Sequence, residues 1–321
     1  MDAASWAGLH VLSVDQFSDA MLATLFRTAS AMKRMVAEKG KSSVMHGRVL
    51  ANVFYEPSTR TMCSFDAAMK RLGGDVISVS ESSSSAKKGE TIEDTVRCLQ
   101  CYCDLLVLRH PVKGTAAAAA SAACKPVINA GDGVGEHPTQ ALLDLYTIAA
   151  AHPRASAAAA AGGDSLGLGG LTLALVGDLK HGRTVHSLSL LAARAVRPPK
   201  LLLVSPEALR MPEGVLAELG AAGVQVVVSS DLQASVAHAD ILYVTRTQRE
   251  RFASDEEYAS RRPLLTRVSH FSYGALRSRL TTAPTFRDRY AAVAGSYVVD
   301  AATMRAAKED MIVTGGGSFE L

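Results

Sequence analysis

A polar stretch between residues 54 and 61 has the composition of a phosphate site. Its polar members are Glu56, Ser58, Thr59, Arg60 and Thr61, and it separates an apolar run typical of a buried strand from an apolar pattern typical of a helix. Hydroxyls at a helix start stand beside unpaired N–H groups, at the positive end of the helix dipole. An arginine can grip phosphate with two parallel bonds. The stretch therefore predicts an anion site, although an ordinary N-capped helix uses the same residue types.

Two further polar groups follow later strand-like runs. Arg109 comes after the apolar run 104–108, and His137 comes after the run 126–130. Strands that alternate with helices predict a parallel sheet, and ligands bind beyond the carboxyl ends of such strands. We therefore expect Arg60, Arg109 and His137 to lie just past strand ends and to face one crevice. The serine-rich run 81–89 with its two lysines is either a plain connector or a loop that carries function.

The pattern of strands and helices predicts an α/β fold with two domains, each a parallel sheet flanked by helices. The first domain is expected at residues 1–150 and the second at 151–321, with the active site in the cleft between them. Pro57 suits the first turn of a helix. The Ala- and Gly-rich run 157–170 is predicted to be a surface loop. The remaining predicted elements are helices at 15–38, 138–148, 185–195, 212–219 and 235–239 and strands at 47–55, 75–79, 171–176, 200–204, 224–228 and 241–244.

The second series of strands also places arginines beyond its strand ends. Arg183 follows the run 171–176, and Arg246 follows the run 241–244. Either side chain could be a solvated surface charge, which is the usual position of arginine. Two forked cations facing a domain cleft would instead suit a substrate with two carboxylates.

Composition excludes several classes of protein. The chain has 321 residues, 48% of them hydrophobic, and a net charge of only +3, which argues against a protein that coats nucleic acid. No apolar run is long enough for a membrane span, and Asp2 does not fit a targeting signal, so we expect a cytoplasmic location. Three of the five cysteines form a C-x-x-C-x-C run at residues 98–103, but no fourth ligand stands at a recognised spacing. We expect buried free thiols and no metal.

Taken together, the motifs resemble the catalytic chain of the aspartate carbamoyltransferases. The similarity covers most of residues 45–255, and it rests on six stretches in the order of that family: 54–61, 87–91, 109–111, 129–143, 177–187 and 245–252. The sequence of residues 129–140 is similar to the corresponding sequence in the large multifunctional pyrimidine-synthesis polypeptides. The resemblance implies transfer of a carbamoyl group from carbamoyl phosphate to L-aspartate, an early step of pyrimidine synthesis, without metal or organic cofactor.

The resemblance also implies a role for each matching residue. Ser58, Thr59, Arg60 and Thr61 would hold the phosphate, with help from Arg109. His137 and Thr61 would donate to the carbonyl oxygen, and Gln140 would orient the carbamoyl amide. Aspartate would be bound by Lys88, Arg183, Thr184, Arg246 and Gln248. Ser84 and Lys88 would reach into the site of a neighbouring subunit, because members of the family are homotrimers with shared sites.

Two segments depart from the family pattern. Residues 260–289 resemble an insertion in the second domain. The family has a loop like His-Pro-Leu-Pro-Arg, followed by a final helix, where this chain reads Thr314-Gly315-Gly316-Gly317 and stops at Leu321. That loop supplies carbonyls to the carbamoyl group. We therefore expect a chain of lowered stability and turnover.

Two other functions remain open from the sequence. One is another carbamoyltransferase, such as the ornithine enzyme, against which the stretches 182–187 and 245–248 favour a dicarboxylate acceptor. The other is a non-catalytic or impaired subunit that binds carbamoyl phosphate or only assembles with intact chains.

Overall fold

The computed structural model describes residues 6–160, 166–195, 197–245, 299 and 303–315. Contacts divide the chain into two compact units, residues 1–140 and 141–321. The predicted boundary after residue 150 stays a prediction. The predicted insertion at 260–289 and residues 316–321 lie outside the described residues.

The first unit contains a four-stranded parallel sheet in the order β2-β1-β3-β4. The strands are β1 (Val49–Phe54), β2 (Asp75–Ser80), β3 (Leu105–His110) and β4 (Val127–Asp132). Strands β1, β3 and β4 are buried for most of their length, as expected of a sheet with helices on both faces. A fifth backbone segment joins this sheet, because Val11 forms an isolated parallel bridge with Ile128.

Helices precede, connect and follow these strands, as the sequence predicts. They are α1 (Asp19–Lys39), α2 (Thr59–Arg71), α3 (Ile92–Leu99), α4 (Thr115–Ala122) and α5 (Pro138–Ala151). Ser18 and Thr91 cap α1 and α3, since each side chain accepts a backbone N–H from the first turn. The predicted position of Pro57 is wrong, because α2 begins at Thr59 with Ser58 as its N-cap, and Pro57 precedes the cap.

The second unit contains a five-stranded parallel sheet in the order β7-β6-β5-β8-β9. The strands are β5 (Thr172–Val176), β6 (Lys200–Val204), β7 (Val226–Ser229), β8 (Ile241–Val244) and β9 (Ile312–Gly315), and the helices are α6 (Pro153–Ala160), α7 (Arg183–Ala192), α8 (Glu213–Ala221) and α9 (Leu232–Val236). The sequence prediction missed β9, whose short apolar segment pairs with β8 in register Ile241↔Ile312.

The predicted surface loop at 157–170 is wrong at both of its ends. Residues up to Ala160 continue helix α6. Leu166 and Leu168 are each 1% exposed, so leucines that interrupt the alanine- and glycine-rich run anchor it in the core. No helix in the described part of the chain is long and apolar enough to cross a membrane.

Candidate active site

The start of α2 leaves polar groups available for a ligand. The Ser58 hydroxyl makes no capping bond to the helix backbone and donates instead to Thr61 Oγ1, at 2.9 Å. The Arg60 side chain is exposed, and no residue that the structure describes forms a hydrogen bond or ion pair with it. Thr59 is exposed beside it. Unpaired helix N–H groups, two hydroxyls and a free guanidinium together make an anion site at this helix start.

Arg109 lies inside strand β3, which corrects the prediction that it follows the strand. It stands opposite Phe54, the last residue of β1, so the strand simply continues further than its apolar run. Its side chain is 8% exposed. Nη2 donates to Glu56 Oε1 at 2.5 Å, and Nη1 donates to the Ala130 carbonyl at 3.1 Å. The sequence analysis gave Glu56 no role, because a single acid beside a turn carries no pattern.

The guanidinium of Arg109 rests on a bulge in strand β4. The register of β3 and β4 runs from Leu108↔Asn129 to His110↔Asp132, so β4 contains one extra residue. Gly131 adopts a φ of +129° there, and a Cβ at this position would lie 2.8 Å from Arg109 Nη1. Only glycine therefore fits the bulge without displacing the arginine.

His137 precedes helix α5 and contacts Arg109. The two side chains meet at 3.2 Å between Arg109 Nη1 and His137 Nε2, and His137 is 5% exposed. On its other side, His137 Nδ1 accepts the backbone N–H of Gln140 at 3.3 Å and lies 3.3 Å from the Thr139 hydroxyl. A neutral imidazole that accepts at Nδ1 carries its proton on Nε2. The structure therefore brings together Arg109 and His137, as predicted, and places Gln140 in the first turn after them.

Two short 3₁₀ turns, Glu81–Ser83 and Ser85–Lys88, follow β2 at the edge of the first sheet; Ser84 lies between them and Lys88 ends the second. The run that was predicted as either a connector or a functional loop thus contains two short helical turns. The Ser84 hydroxyl donates to the Glu81 carbonyl at 3.0 Å, and Lys88 is exposed. No described residue of this chain pairs with the Lys88 ammonium in a hydrogen bond or salt bridge.

The predicted aspartate site is described only in part. Arg183 opens helix α7 and is 7% exposed, and Thr184 follows it. The preceding loop is tied down by Asp178, which is fully buried and accepts the backbone N–H of His181 at 3.0 Å. Arg246 and Gln248 lie outside the described residues.

A buried tyrosine supports Thr184, and the sequence analysis missed it. Tyr243 of β8 is fully buried, and its hydroxyl donates to Asp144 Oδ2 at 2.8 Å. Burial, the charge of Asp144 and their hydrogen bond hold the pKa of Tyr243 well above its usual range, and a hydrogen bond from the Thr184 side chain acts in the opposite direction. The only available signal was a tyrosine in an otherwise aliphatic strand.

The cysteines correct one prediction. Cys103 is buried in the core, where burial raises the pKa of its thiol, but Cys63, Cys98, Cys101 and Cys124 are exposed. They lie on outward faces of helices and turns, and the sequence pattern did not show which face each cysteine would occupy. Among the described residues, no group of three or more His, Cys, Asp or Glu side chains could hold a metal ion.

Models of two domain families match the chain. The carbamoyl-P binding domain of aspartate/ornithine carbamoyltransferase matches residues 9–150, and the Asp/Orn binding domain of the same enzymes matches residues 169–314.

Individual relatives agree with these matches. The chain is 48% identical over 255 residues to the multifunctional protein pyr1-3 of Dictyostelium discoideum, a match that covers 79% of this chain and 11% of that much longer protein. It is 46% identical over 254 residues to the aspartate carbamoyltransferase catalytic subunit of Thermococcus gammatolerans, covering 79% of this chain and 78% of the subunit.

Solved structures with the same fold include aspartate transcarbamoylase from Trypanosoma cruzi. Its complex with carbamoyl phosphate superposes with a TM-score of 0.78 at 39% identity, covering 99% of this chain and 88% of that one. Its complex with N-(phosphonacetyl)-L-aspartic acid gives a TM-score of 0.76 at 37% identity, covering 99% and 86%. These findings confirm the predicted α/β fold class and the predicted enzyme class, and they do not favour the non-catalytic alternative. The chain belongs to the aspartate/ornithine carbamoyltransferase family.

Proposed function

We propose that this chain transfers the carbamoyl group of carbamoyl phosphate to L-aspartate, giving N-carbamoyl-L-aspartate and phosphate. The observation that carries the proposal is the contact of buried Arg109 with His137 at the carboxyl ends of the parallel strands. The start of α2, with its unpaired helix N–H groups, lies at the same end of the sheet. The related Trypanosoma cruzi enzyme has been solved with carbamoyl phosphate and aspartate together.

In this proposal the first unit binds carbamoyl phosphate. Ser58, Thr59, Arg60 and Thr61 hold the phosphate oxygens at the start of α2, where helix N–H groups and the guanidinium favour an anion. Arg109 adds a second cation that its bonds to Glu56 and Ala130 hold in place. Gln140 orients the carbamoyl amide.

His137 and Thr61 serve the carbonyl group. The amine of aspartate attacks the carbonyl carbon, a C–N bond forms, and the C–O bond to phosphate breaks. Negative charge develops first on the carbonyl oxygen and then on the departing phosphate, which can accept the proton that the amine gives up. Donors fixed before the reaction stabilise such charge strongly. The Nε2 proton of His137 is fixed in this way because the backbone N–H of Gln140 donates to Nδ1 on the far side of the ring.

The aspartate carboxylates are bound by the cations of the second unit in this proposal. Arg183 and Arg246 each offer a fork of donors, with Thr184 and Gln248 beside them. A dicarboxylate needs two such partners, whereas ornithine carries a second amine. We therefore assign aspartate, not ornithine, as the acceptor.

We also propose a homotrimer with shared sites, in which Ser84 and Lys88 serve the site of a neighbouring subunit and Lys88 helps to bind aspartate. The exposed and unpaired ammonium of Lys88 supports this, because within its own chain no described group uses it. Mixing a Lys88→Ala chain with an Arg60→Ala chain should regenerate intact sites and recover activity. Verified mixed trimers with no recovered activity would contradict the sharing of sites.

A cytoplasmic location is part of the proposal. Four exposed cysteines remain free thiols, as is usual in a reducing compartment. Fractionation of the source cells with an antibody to the chain would test it, and recovery in an oxidising compartment would contradict it.

A direct assay tests the reaction. The purified chain is given carbamoyl phosphate with either L-aspartate or L-ornithine, and the carbamoylated amino acid is quantified. We expect N-carbamoyl-L-aspartate and no citrulline. Product from ornithine would reassign the acceptor, and binding of carbamoyl phosphate without product from either acceptor would support a non-catalytic subunit.

A further inference from the structure

The bulge of β4 that supports Arg109 is fixed by a buried amide with two bonds. Asn129 is 1% exposed. Its Oδ1 accepts the backbone N–H of Gly131 at 2.9 Å, and its Nδ2 donates to the Leu12 carbonyl at 3.0 Å. We propose that Asn129 is a positioning residue, which holds the Ala130–Gly131 bulge so that Arg109 points at carbamoyl phosphate. This inference rests on the proposed function.

The bond from Gly131 determines where the Arg109 guanidinium can lie. Gly131 is the residue over which the guanidinium packs, and the neighbouring Ala130 carbonyl accepts from Arg109 Nη1. Glycine is the most flexible residue and gains the most conformations when a restraint is lost. Without the Asn129 side chain, Gly131 and the Ala130 carbonyl could rotate, and Arg109 would keep its bond to Glu56 but lose its bond to Ala130.

The other end of Asn129 is anchored on a segment that is itself well fixed. This segment, residues 10–14, is called the N-terminal strap here. The Val11 N–H donates to the Val127 carbonyl, and the Asn129 N–H donates to the Val11 carbonyl, both at 2.8 Å. Farther along the strap, the Val14 N–H donates to Glu136 Oε2 at 2.8 Å, next to His137. The strap therefore contacts both the bulge that supports Arg109 and the loop that carries His137.

A role confined to folding is the competing explanation, since a buried asparagine with both ends satisfied also stabilises a protein. The two explanations differ in what happens when Arg109 is absent. A residue that acts through Arg109 should have little effect on ligand binding once Arg109 is gone. A residue that only stabilises the fold should have the same effect on ligand binding with or without Arg109.

The experiment is a double-mutant cycle with Asn129→Ala and Arg109→Ala. The probe is N-(phosphonacetyl)-L-aspartic acid, because an analogue that spans both substrates should leave weakened variants measurable. Calorimetry is done on full-length chains, well below the melting temperature, after circular dichroism has verified folding. We expect Asn129→Ala to weaken binding by at least about tenfold in the parent, since small displacements of positioned groups are costly. In the Arg109→Ala background the change should be under about twofold.

A matched control removes another amide from the first unit. Gln100 Oε1 accepts the Cys124 N–H at 2.7 Å, at the amino end of the sheet, so Gln100→Ala should leave affinity unchanged. If Asn129→Ala does not fold, Asn129→Asp, which keeps the acceptor for Gly131, enters the same cycle. Equal losses of affinity in both backgrounds, or no loss in either, would overturn the inference. If the parent itself does not bind the analogue, the proposed function fails as well.

Discussion

Arg109 Nη1 and His137 Nε2 face each other at 3.2 Å, and both nitrogens are donors in the neutral tautomer whose Nδ1 accepts the Gln140 N–H. An oxygen atom that binds beside this pair can accept from both nitrogens. The carbonyl oxygen of carbamoyl phosphate is such an acceptor, and its demand grows as negative charge develops on it. The pair should therefore bind the transition state more tightly than the substrate.

This relationship predicts a large effect of His137→Ala on the rate. Removing one oxyanion donor commonly lowers kcat by about a hundredfold or more. We expect a fall of that order at saturating substrates, with a smaller change in KM. The control is His46→Ala, a substitution at an exposed histidine, whose kcat should equal that of the parent. Wild-type turnover in a correctly folded His137→Ala chain would remove His137 from the mechanism.

Arg60→Ala should weaken carbamoyl phosphate binding. The exposed guanidinium has no partner among the described residues, so its loss removes ligand contacts without breaking internal bonds. A charge-assisted bond contributes about 1.5–3 kcal/mol. Calorimetry with carbamoyl phosphate measures the loss, and Arg97→Ala, which breaks only a surface ion pair with Asp94, is the control. Equal affinity in the Arg60 variant and the parent would show that the phosphate binds elsewhere.

Arg246→Ala should raise the KM for aspartate more than the dissociation constant for carbamoyl phosphate. The physical reason is that each cation is assigned to a different ligand, with Arg60 on the phosphate and Arg246 on a carboxylate. Steady-state kinetics and calorimetry on the same preparation measure the two effects. An equal loss for both ligands would point to misfolding or to another acceptor.

Tyr243→Phe should destabilise the second unit. The substitution removes the buried hydrogen bond from Tyr243 to Asp144 and the contact of Tyr243 with Thr184. A hydrogen bond to a charged group contributes about 1.5–3 kcal/mol. Denaturant unfolding measures the free energy, with Tyr102→Phe as the control because Tyr102 is 63% exposed. Through Thr184, the KM for aspartate should also rise, and unchanged stability would show that Asp144 finds another donor.

Acidification should destabilise the fold, partly through His152. This residue is fully buried, and neither ring nitrogen has a hydrogen-bond partner among the described residues. Burial lowers the pKa of His152, against the opposing charges of Asp310 and Asp240, while Arg154 and Lys308 lower it further. The unfolded chain therefore binds the proton more readily than the folded one. The contribution of neutral His152 to the free energy of unfolding is complete above about pH 6.5 and is lost as the pH falls below that value.

Thermal melts between pH 7.5 and pH 5.5, values that bracket the ordinary histidine pKa of about 6.5, test this expectation. His152→Leu removes no hydrogen bond, so its melting temperature should fall less on acidification than that of the parent. Some dependence should remain, because burial also lowers the pKa of His110. His238→Leu, at an exposed position, is the control. Identical pH dependence in the His152 variant and the parent would exclude this residue as a source of acid sensitivity.

Much of the fold was predictable because local patterns agree with it. The caps Ser18 and Thr91 and the buried runs of β5 and β8 lie where helix and strand rules place them. The fifth strand, β9, was missed because a four-residue apolar segment carries too little periodicity. The low-complexity run misled the prediction, because alanine-rich sequence suits a helix as well as a loop.

The sequence names candidate site residues, which stay predictions, but it does not name the residues that support them. Arg60, Arg109 and His137 stand in motifs. The residue types at the start of α2 indicate a phosphate site, whereas the carbonyl role of His137 is implied only by the family resemblance. Glu56, Asn129 and Tyr243 act through contacts with residues distant in sequence, such as the bonds from Asn129 to Leu12 and from Tyr243 to Asp144. No local pattern encodes such pairs. Only the bulge at Gly131 explains why a glycine is needed there.

The strands of the first sheet lie close together along the chain, whereas β8 and β9 of the second sheet are far apart in sequence. This difference favours earlier folding of the first sheet. The first sheet, with its strap bridge at Val11, is complete once Asp132 has been synthesised. The second sheet cannot be complete before Gly315, since β9 must pair beside β8, whose last residue is Val244. Bringing such distant strands together costs loop entropy and slows folding. During synthesis the first unit can therefore form early. Strand β8 cannot pair with β9 until residue 315 has left the ribosome.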